Sequence, residues 1–167
     1  MIRVAIGKRI ARQPDAPRGL AALILAGTGF AAAWRVSGYV DSGGLGFGLM
    51  IAAGGAIIGW YFVGSTASVR ARLARGVMGA VWTGVLLSLF MTLRIVLPAA
   101  WRGLYRGIEA LATDIALRSW RHFLELAQGD VGIMLFLGGM LSAIVGNWAA
   151  RRWGRATKAT GGTRTGA

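Results

Sequence analysis

Few residues of this chain could perform acid–base or metal chemistry, and most of them lie in one segment. The sequence contains six acidic residues, one histidine, His122, and no cysteine. Four of the acids are Glu109, Asp114, Glu125 and Asp130. The lack of cysteine excludes disulfides, thiol nucleophiles and thiolate metal ligands. One histidine among scattered carboxylates offers no metal-ligand pair, so we expect no catalytic residue, metal or cofactor.

Two arginines interrupt stretches that are otherwise apolar. Arg35 and Arg94 each lie a few residues from one end of such a stretch. A charged side chain at membrane depth is costly and often marks a functional site. Their long stems could instead carry the charge to the interface, or the two arginines could pair with Asp41 and Asp130. The alternative is a shared cationic site for an anionic head group or an acidic partner segment.

The element that must position these residues is a glycine-rich stretch from Gly43 to Gly64, GGLGFGLMIAAGGAIIGWYFVG. It has eight glycines and no charge. In water each interior glycine costs a helix about 1 kcal/mol relative to alanine. In a bilayer the backbone must pair within the segment, so such a stretch is held helical. The pattern predicts a tightly packed membrane helix.

The whole chain extends this prediction to a small multi-pass membrane protein. Of its 167 residues 55% are apolar, and its mean hydropathy is +0.56. We predict an all-α fold with four transmembrane helices, a basic N-terminal segment at 1–18 and a basic disordered tail at 151–167. The membrane domain would occupy 19–150, with spans at about 20–39, 44–64, 76–97 and 131–150. The basic start and Ala31–Ala33 also suit a cleaved signal peptide, which is the alternative for residues 1–33.

Small residues recur every fourth position in three of the predicted spans. Such ladders let helix backbones approach closely in membranes. The predicted packing positions are Gly44, Gly48, Ala52, Ala56, Gly55, Gly59, Gly76, Ala80, Gly84, Ser88, Gly138, Ser142 and Gly146. Asn147 could add a polar link to Ser142, Ser88 or Thr92, with hydration at the interface as the alternative.

Residues 101–128 form the one long segment that is amphipathic. Apolar side chains fall on one face and charged ones on the other at helical spacing, with Pro98 expected to end the span before it. We predict a helix lying in the plane of the interface. The alternative is a docking surface for a partner, with Trp120, Arg118 and Arg121 as its contacts.

The distribution of charge predicts an orientation. Residues 1–18, a predicted turn at 65–75 and the tail together hold 13 of the 19 Lys and Arg residues. All three lie on one side of a four-span arrangement, and the positive-inside rule makes that side the cytoplasm. Trp34 and Trp101 would then belong to the outer aromatic belt. We expect the basic ends to contact anionic lipid rather than nucleic acid, since they adjoin membrane spans.

Packing features are abundant in this sequence and chemical features are scarce. We therefore expect a non-enzymatic subunit or assembly factor of a larger bacterial inner-membrane complex, in secretion, conjugation or energy conversion. Its partners would be other membrane subunits. The alternative function is a homo-oligomeric channel or a holin-like protein that permeabilises the membrane.

Overall fold

A computed structural model of the chain describes residues 16–37, 44–63 and 69–153. Its helices are α1 (Ala16–Ser37), α2 (Gly44–Ile58), α3 (Val69–Trp101), α4 (Ile108–Gln128) and α5 (Asp130–Trp153), and a π-helical turn, Gly59–Val63, continues α2. The described ranges contain no strand. Within them four helices, namely α1, α2 with its π turn, α3 and α5, are long and apolar enough to cross a membrane. The all-helical prediction is confirmed, and most of the predicted basic termini lie outside the described residues.

The four long helices form a bundle in which α1 contacts both α2 and α5. Close contacts of Gly55 with Leu25 and of Gly59 with Ala21 show that α1 and α2 run antiparallel. α5 also runs antiparallel to α1, because Gly138 lies against Thr28 while Gly146 lies near Pro17. We call the end of the bundle that holds Ser37 and Asp130 the Ser37 end. The opposite end, which holds Pro17, Val69 and Gly146, is the Val69 end.

The core consists of small and branched apolar side chains. One buried cluster centres on Ile51, Leu87 and Leu135, and a second one, toward the Val69 end, on Leu25 and Val63. The outward faces of the bundle carry large apolar side chains such as Leu49, which is 60% exposed. A bundle with an apolar exterior of this kind suits a lipid environment.

Helix α3 extends past the other helices at the Ser37 end. It has 33 residues, about 50 Å, against 22 in α1. Gly79 packs on Leu25 and Thr83 lies against Gly29, so Ser37 is level with residue 91. Residues 92–101 therefore continue about 15 Å beyond the end of α1.

Both predicted ends of the third span differ from the structure. Residues 69–75, predicted as part of a turn, are helical because they include strong helix formers and no glycine or proline. At the other end α3 continues through Pro98 to Trp101, since the proline removes only the hydrogen bond to the Arg94 carbonyl. Trp101 consequently lies about 20 Å beyond Trp34 along the bundle, so the two do not share one aromatic belt.

The segment between α3 and α4 begins with a glycine C-cap. Gly103 has φ +74°, and its N–H bonds the Ala100 carbonyl while the Leu104 N–H bonds the Ala99 carbonyl. This pair of bonds is the Schellman motif, which ends helices at a left-handed residue. Gly107 adds a second positive φ, +126°, directly before α4. The amphipathic helix therefore starts at Ile108 and not at Trp101 as predicted.

Helix α4 folds back along the C-terminal half of α3. Phe123 reaches Gly84 near the middle of α3, and Leu126 packs on the core cluster around Leu87. Gly129 alone separates α4 from α5. We call residues 92–128, the end of α3 together with α4, the arm. Its outer part projects from the Ser37 end of the bundle, and the last turns of α4 pack beside the bundle.

Candidate interaction sites on the bundle and the arm

The predicted small residues of α2 lie at different distances from α1. A Cβ added at Gly55 would lie 2.6 Å from the Leu25 carbonyl oxygen, and one at Gly59 would lie 2.7 Å from that of Ala21. Gly48 lies under the Phe30 ring. Ala52 and Ala56 are half-buried, and Gly44 begins the helix. The closest backbone approach is therefore at Gly55 and Gly59, and not along the ladder from Gly44 to Ala56.

The predicted small residues of α3 meet α5 and α4. A Cβ at Gly76 would overlap the carbonyl oxygen of Gly139. A Cβ at Gly139 would overlap the carbonyl oxygen of Gly76 and lie 2.9 Å from the Cβ of Ala80. Gly84 faces the Phe123 ring of α4. Ser88 is buried, but its hydroxyl donates to the Val85 carbonyl of its own helix. Gly139 was not among the predicted positions, although it makes the closest contact to α3.

The predicted residues of α5 face α1. Gly138 packs against Thr28, and the Ser142 hydroxyl donates to the Ala21 carbonyl oxygen at 3.0 Å. Gly146 is buried but has only ordinary van der Waals distances to Pro17.

A polar contact that sequence reasoning missed links α3 to α5 at the Val69 end. Arg72 is 9% exposed, and its Nη1 donates to the Gly146 carbonyl at 3.2 Å and to Asn147 Oδ1 at 3.5 Å. Asn147 thus contacts Arg72 and not the predicted hydroxyl groups. This contact was not predicted because residues 65–75 were assigned to a turn. With Arg72 in α3, its side chain can reach α5.

The structure does not bring Arg35 and Arg94 into one site. Arg35 Nε lies 3.0 Å from Asp130 Oδ2, and both side chains are 59% exposed. Arg94 lies over the Phe47 ring, 5.4 Å from its centroid. The two arginines line separate cavities, the one at Arg94 shared with His122 of α4. The predicted pairing of Arg35 with Asp130 is present, and the shared cationic site is absent from the described residues.

The predicted docking residues of α4 lie on two neighbouring flanks of the helix. Leu117 and Trp120 are 65% and 61% exposed, and the Trp120 ring stacks on Phe123 at 5.8 Å. Arg118 and Arg121 are also exposed, on the adjacent charged flank. No residue of α4 is fully buried. The helix thus presents apolar and charged flanks while its third flank packs on α3.

A hydrogen-bonded network fixes the start of α4 to the preceding loop. Asp114 accepts hydrogen bonds from Arg118 Nε, at 2.7 Å, and from the Tyr105 hydroxyl. The Arg118 guanidinium and the Tyr105 hydroxyl hold the pKa of Asp114 below its usual range. Donation to Asp114 raises the pKa of Tyr105 above its ordinary value. The spacing of Asp114 and Arg118 indicated their ion pair, but Tyr105 was not predicted to join it.

His122 is half-buried between α4 and the Ser37 end of the bundle. Its Nδ1 lies 3.2 Å from Glu125 Oε2, one helical turn onward. Within the described residues no group of three or more His, Cys, Asp and Glu side chains could hold a metal ion.

No family model, no curated protein and no solved structure matches the chain.

Proposed function

We propose that this chain is a non-enzymatic integral membrane subunit, or an assembly factor, of a larger bacterial inner-membrane complex. The four-helix bundle would anchor it in the bilayer, and the arm would bind a partner subunit. The observation that carries this proposal is the exposed apolar surface of the arm, on a part of the molecule that extends past the other helices.

The lengths of the helices support a position for the arm outside the hydrocarbon. α1 has 22 residues, about 33 Å, which matches a hydrocarbon core of about 30 Å. With α1, α2 and α5 filling that thickness, residues 92–101 and about the first two turns of α4 lie in the head-group region or in water, while Phe123 packs at the level of Gly84. Apolar side chains there include Leu97, which is 55% exposed, Trp101, which is 95% exposed, and Ile108, which is 81% exposed.

Leu117 and Trp120, about 60° apart around α4, form its exposed apolar flank, and Leu97 and Trp101 are exposed on α3. Ile108 is exposed at the start of α4, on the opposite side of the helix from Leu117. Exposed apolar surfaces mark interaction sites, and tryptophan is enriched among interface hot spots. A partner subunit that covers these side chains would account for their exposure in the isolated chain.

The proposed orientation places both termini in the cytoplasm and the arm on the outer face. Its support is the distribution of Lys and Arg, which concentrates in residues 1–18, around Arg70–Arg75 and in the tail. Arg70, Arg72 and Arg75 all lie near the start of α3, at the Val69 end. The Ser37 end, where the arm projects, holds Asp130 and the ion pair to Arg35.

A photo-crosslinking amino acid placed in the arm tests the partner. It would replace Trp120, and in a matched control it would replace Trp148, which is 53% exposed on α5. We expect Trp120 to give one discrete crosslinked protein in the native membrane and Trp148 to give none. Identical products from both positions would contradict a docking role for the arm. Crosslinking of Trp120 only to further copies of this chain would support the channel alternative instead.

A further inference from the structure

A cavity of about 240 Å³ lies at the Ser37 end, where α1, α2, α3 and α4 meet. It combines an apolar wall with two nitrogen-bearing side chains, formed by Val36, Phe47, Met91, Ile95, Arg94 and His122. We propose that this cavity binds the head group of an anionic phospholipid and that Arg94 holds its phosphate. This binding is separate from the partner docking proposed above.

The charges around the cavity leave Arg94 as the group suited to an anion. Arg35 is paired with Asp130, and the Nδ1 atom of His122 is paired with Glu125. Arg94 packs over the Phe47 ring, and among the described residues no carboxylate forms an ion pair with it. A guanidinium over a ring keeps its N–H donors at the edge available, and its planar fork matches phosphate oxygens.

His122 can add a second contact to the same ligand. Because Glu125 takes Nδ1, the remaining ring atom that can reach a ligand in the cavity is Nε2. Glu125 does not line this cavity and instead lines a neighbouring one that shares Val36, Met91 and His122 with it.

The depth of the cavity favours a lipid phosphate over a free one. Arg94 lies three residues beyond residue 91, which is level with Ser37, and so about 5 Å past the end of α1. Head groups adjoin the hydrocarbon at this level if α1 spans it. The apolar wall of Val36, Met91 and Ile95 would contact the glycerol and the upper acyl carbons of a lipid. An inorganic phosphate has no apolar part to contact this wall.

Lipid retention by the purified full-length protein tests this proposal. The protein would be loaded in neutral detergent with equal phosphatidylglycerol and phosphatidylcholine, washed, and its bound lipids counted by native mass spectrometry. We expect the wild type to retain phosphatidylglycerol preferentially. Arg94→Gln should reduce that preference about tenfold, as for loss of a charge-assisted bidentate contact. Arg94→Lys should keep part of it.

The control is Arg102→Gln, because Arg102 is exposed in the loop that follows α3 and does not line the cavity. It should retain phosphatidylglycerol like the wild type. Unchanged preference in Arg94→Gln, or an equal loss in Arg102→Gln, would overturn the proposal. Displacement of the lipid by millimolar inorganic phosphate would make this a site for free anions, and an acidic peptide retained in place of lipid would assign it to a protein.

Discussion

Asp114 joins the arm's loop to its helix through contacts that require a charged carboxylate. It accepts from Arg118 and from the Tyr105 hydroxyl, and both donors favour the ionised form. A group whose pKa is lowered by folding stabilises the folded state above its unfolded pKa. That contribution is lost as the pH falls through the folded pKa.

We therefore predict that the start of α4 becomes less stable on acidification. Asp114→Asn should lower the thermal midpoint at pH 7, because the amide cannot replace a carboxylate that accepts from both partners. The difference from the wild type should shrink as the pH falls below about 4, toward the lowered pKa of Asp114. Circular dichroism in detergent measures both midpoints. A difference that does not change on acidification would show that the charge of Asp114 contributes nothing.

We also predict that Arg72 stabilises the contact of α3 with α5 at the Val69 end. Its buried guanidinium donates to Gly146 and Asn147 of α5, whereas Arg70, two residues earlier, is exposed. Arg72→Gln should cost about 1–3 kcal/mol of stability, as for a lost hydrogen bond from a charged donor in a buried site. Arg70→Gln removes the same charge and should be close to neutral. Equal losses of thermal stability in Arg72→Gln and Arg70→Gln would mean that total charge, and not the hydrogen bonds of Arg72, stabilises the Val69 end.

At the scale of elements, α3 shows which signals end a helix in this chain. Pro98 suggested an end that the structure does not have, because one missing N–H is tolerated in the last turn. Gly103 followed by Leu104 carried the actual signal, a left-handed C-cap with an apolar residue after it. The sequence of Gly103 and Leu104 is typical of a C-cap, but the prediction relied on Pro98 instead.

The small-residue pattern predicts that helices pack closely but not which glycine makes each contact. Gly138 and Gly139 are adjacent, and they face different helices, α1 and α3. The periodicity of four selects Gly138 alone because it follows one face of a helix that has two packed faces. A helix between two neighbours needs two ladders, and only the fold shows which neighbours those are.

The contact of α3 with α5 leaves no room for a side chain at Gly76. Gly76→Ala would push a methyl group onto the Gly139 carbonyl, so the helices must separate, at a cost of about 1–3 kcal/mol. Gly27→Ala in α1 is the matched control, because a Cβ there meets nothing within 4 Å. Thermal unfolding in detergent should show a lower midpoint for Gly76→Ala only. If both variants behaved like the wild type, α3 and α5 would not be in backbone contact.

At the scale of the whole molecule, the bundle and the arm differ in what could be foreseen. Composition and hydropathy predicted four long apolar helices, and the structure confirms them within the described residues. The arm was not predicted, since it depends on the offset of α3 from α1. That offset follows from the contacts of Gly79 and Thr83, which no pattern within α3 specifies. The segment predicted to lie in the membrane interface packs along α3, and its position relative to the membrane stays a prediction.

The projection of the arm makes a prediction about water access. The chain has no native cysteine, so a single introduced cysteine is a unique label. In the purified chain reconstituted alone in lipid vesicles, Trp101→Cys should react with a membrane-impermeant maleimide, and Leu137→Cys, exposed on α5, should not. An unreactive Trp101→Cys would place the end of α3 inside the bilayer, and the arm would not be exposed to water.

The proposed function requires that the arm joins this chain to another subunit. Its most direct test is extraction of the native membrane in a polymer nanodisc, with the mass and composition of the particle compared between the wild type and Leu117→Ser/Trp120→Ser. We predict a defined partner at fixed ratio in the wild type and its loss from the double variant, with the fold unchanged by circular dichroism. A particle that contains this chain alone, as a monomer or as a ring, and is the same in both proteins would contradict the proposed function.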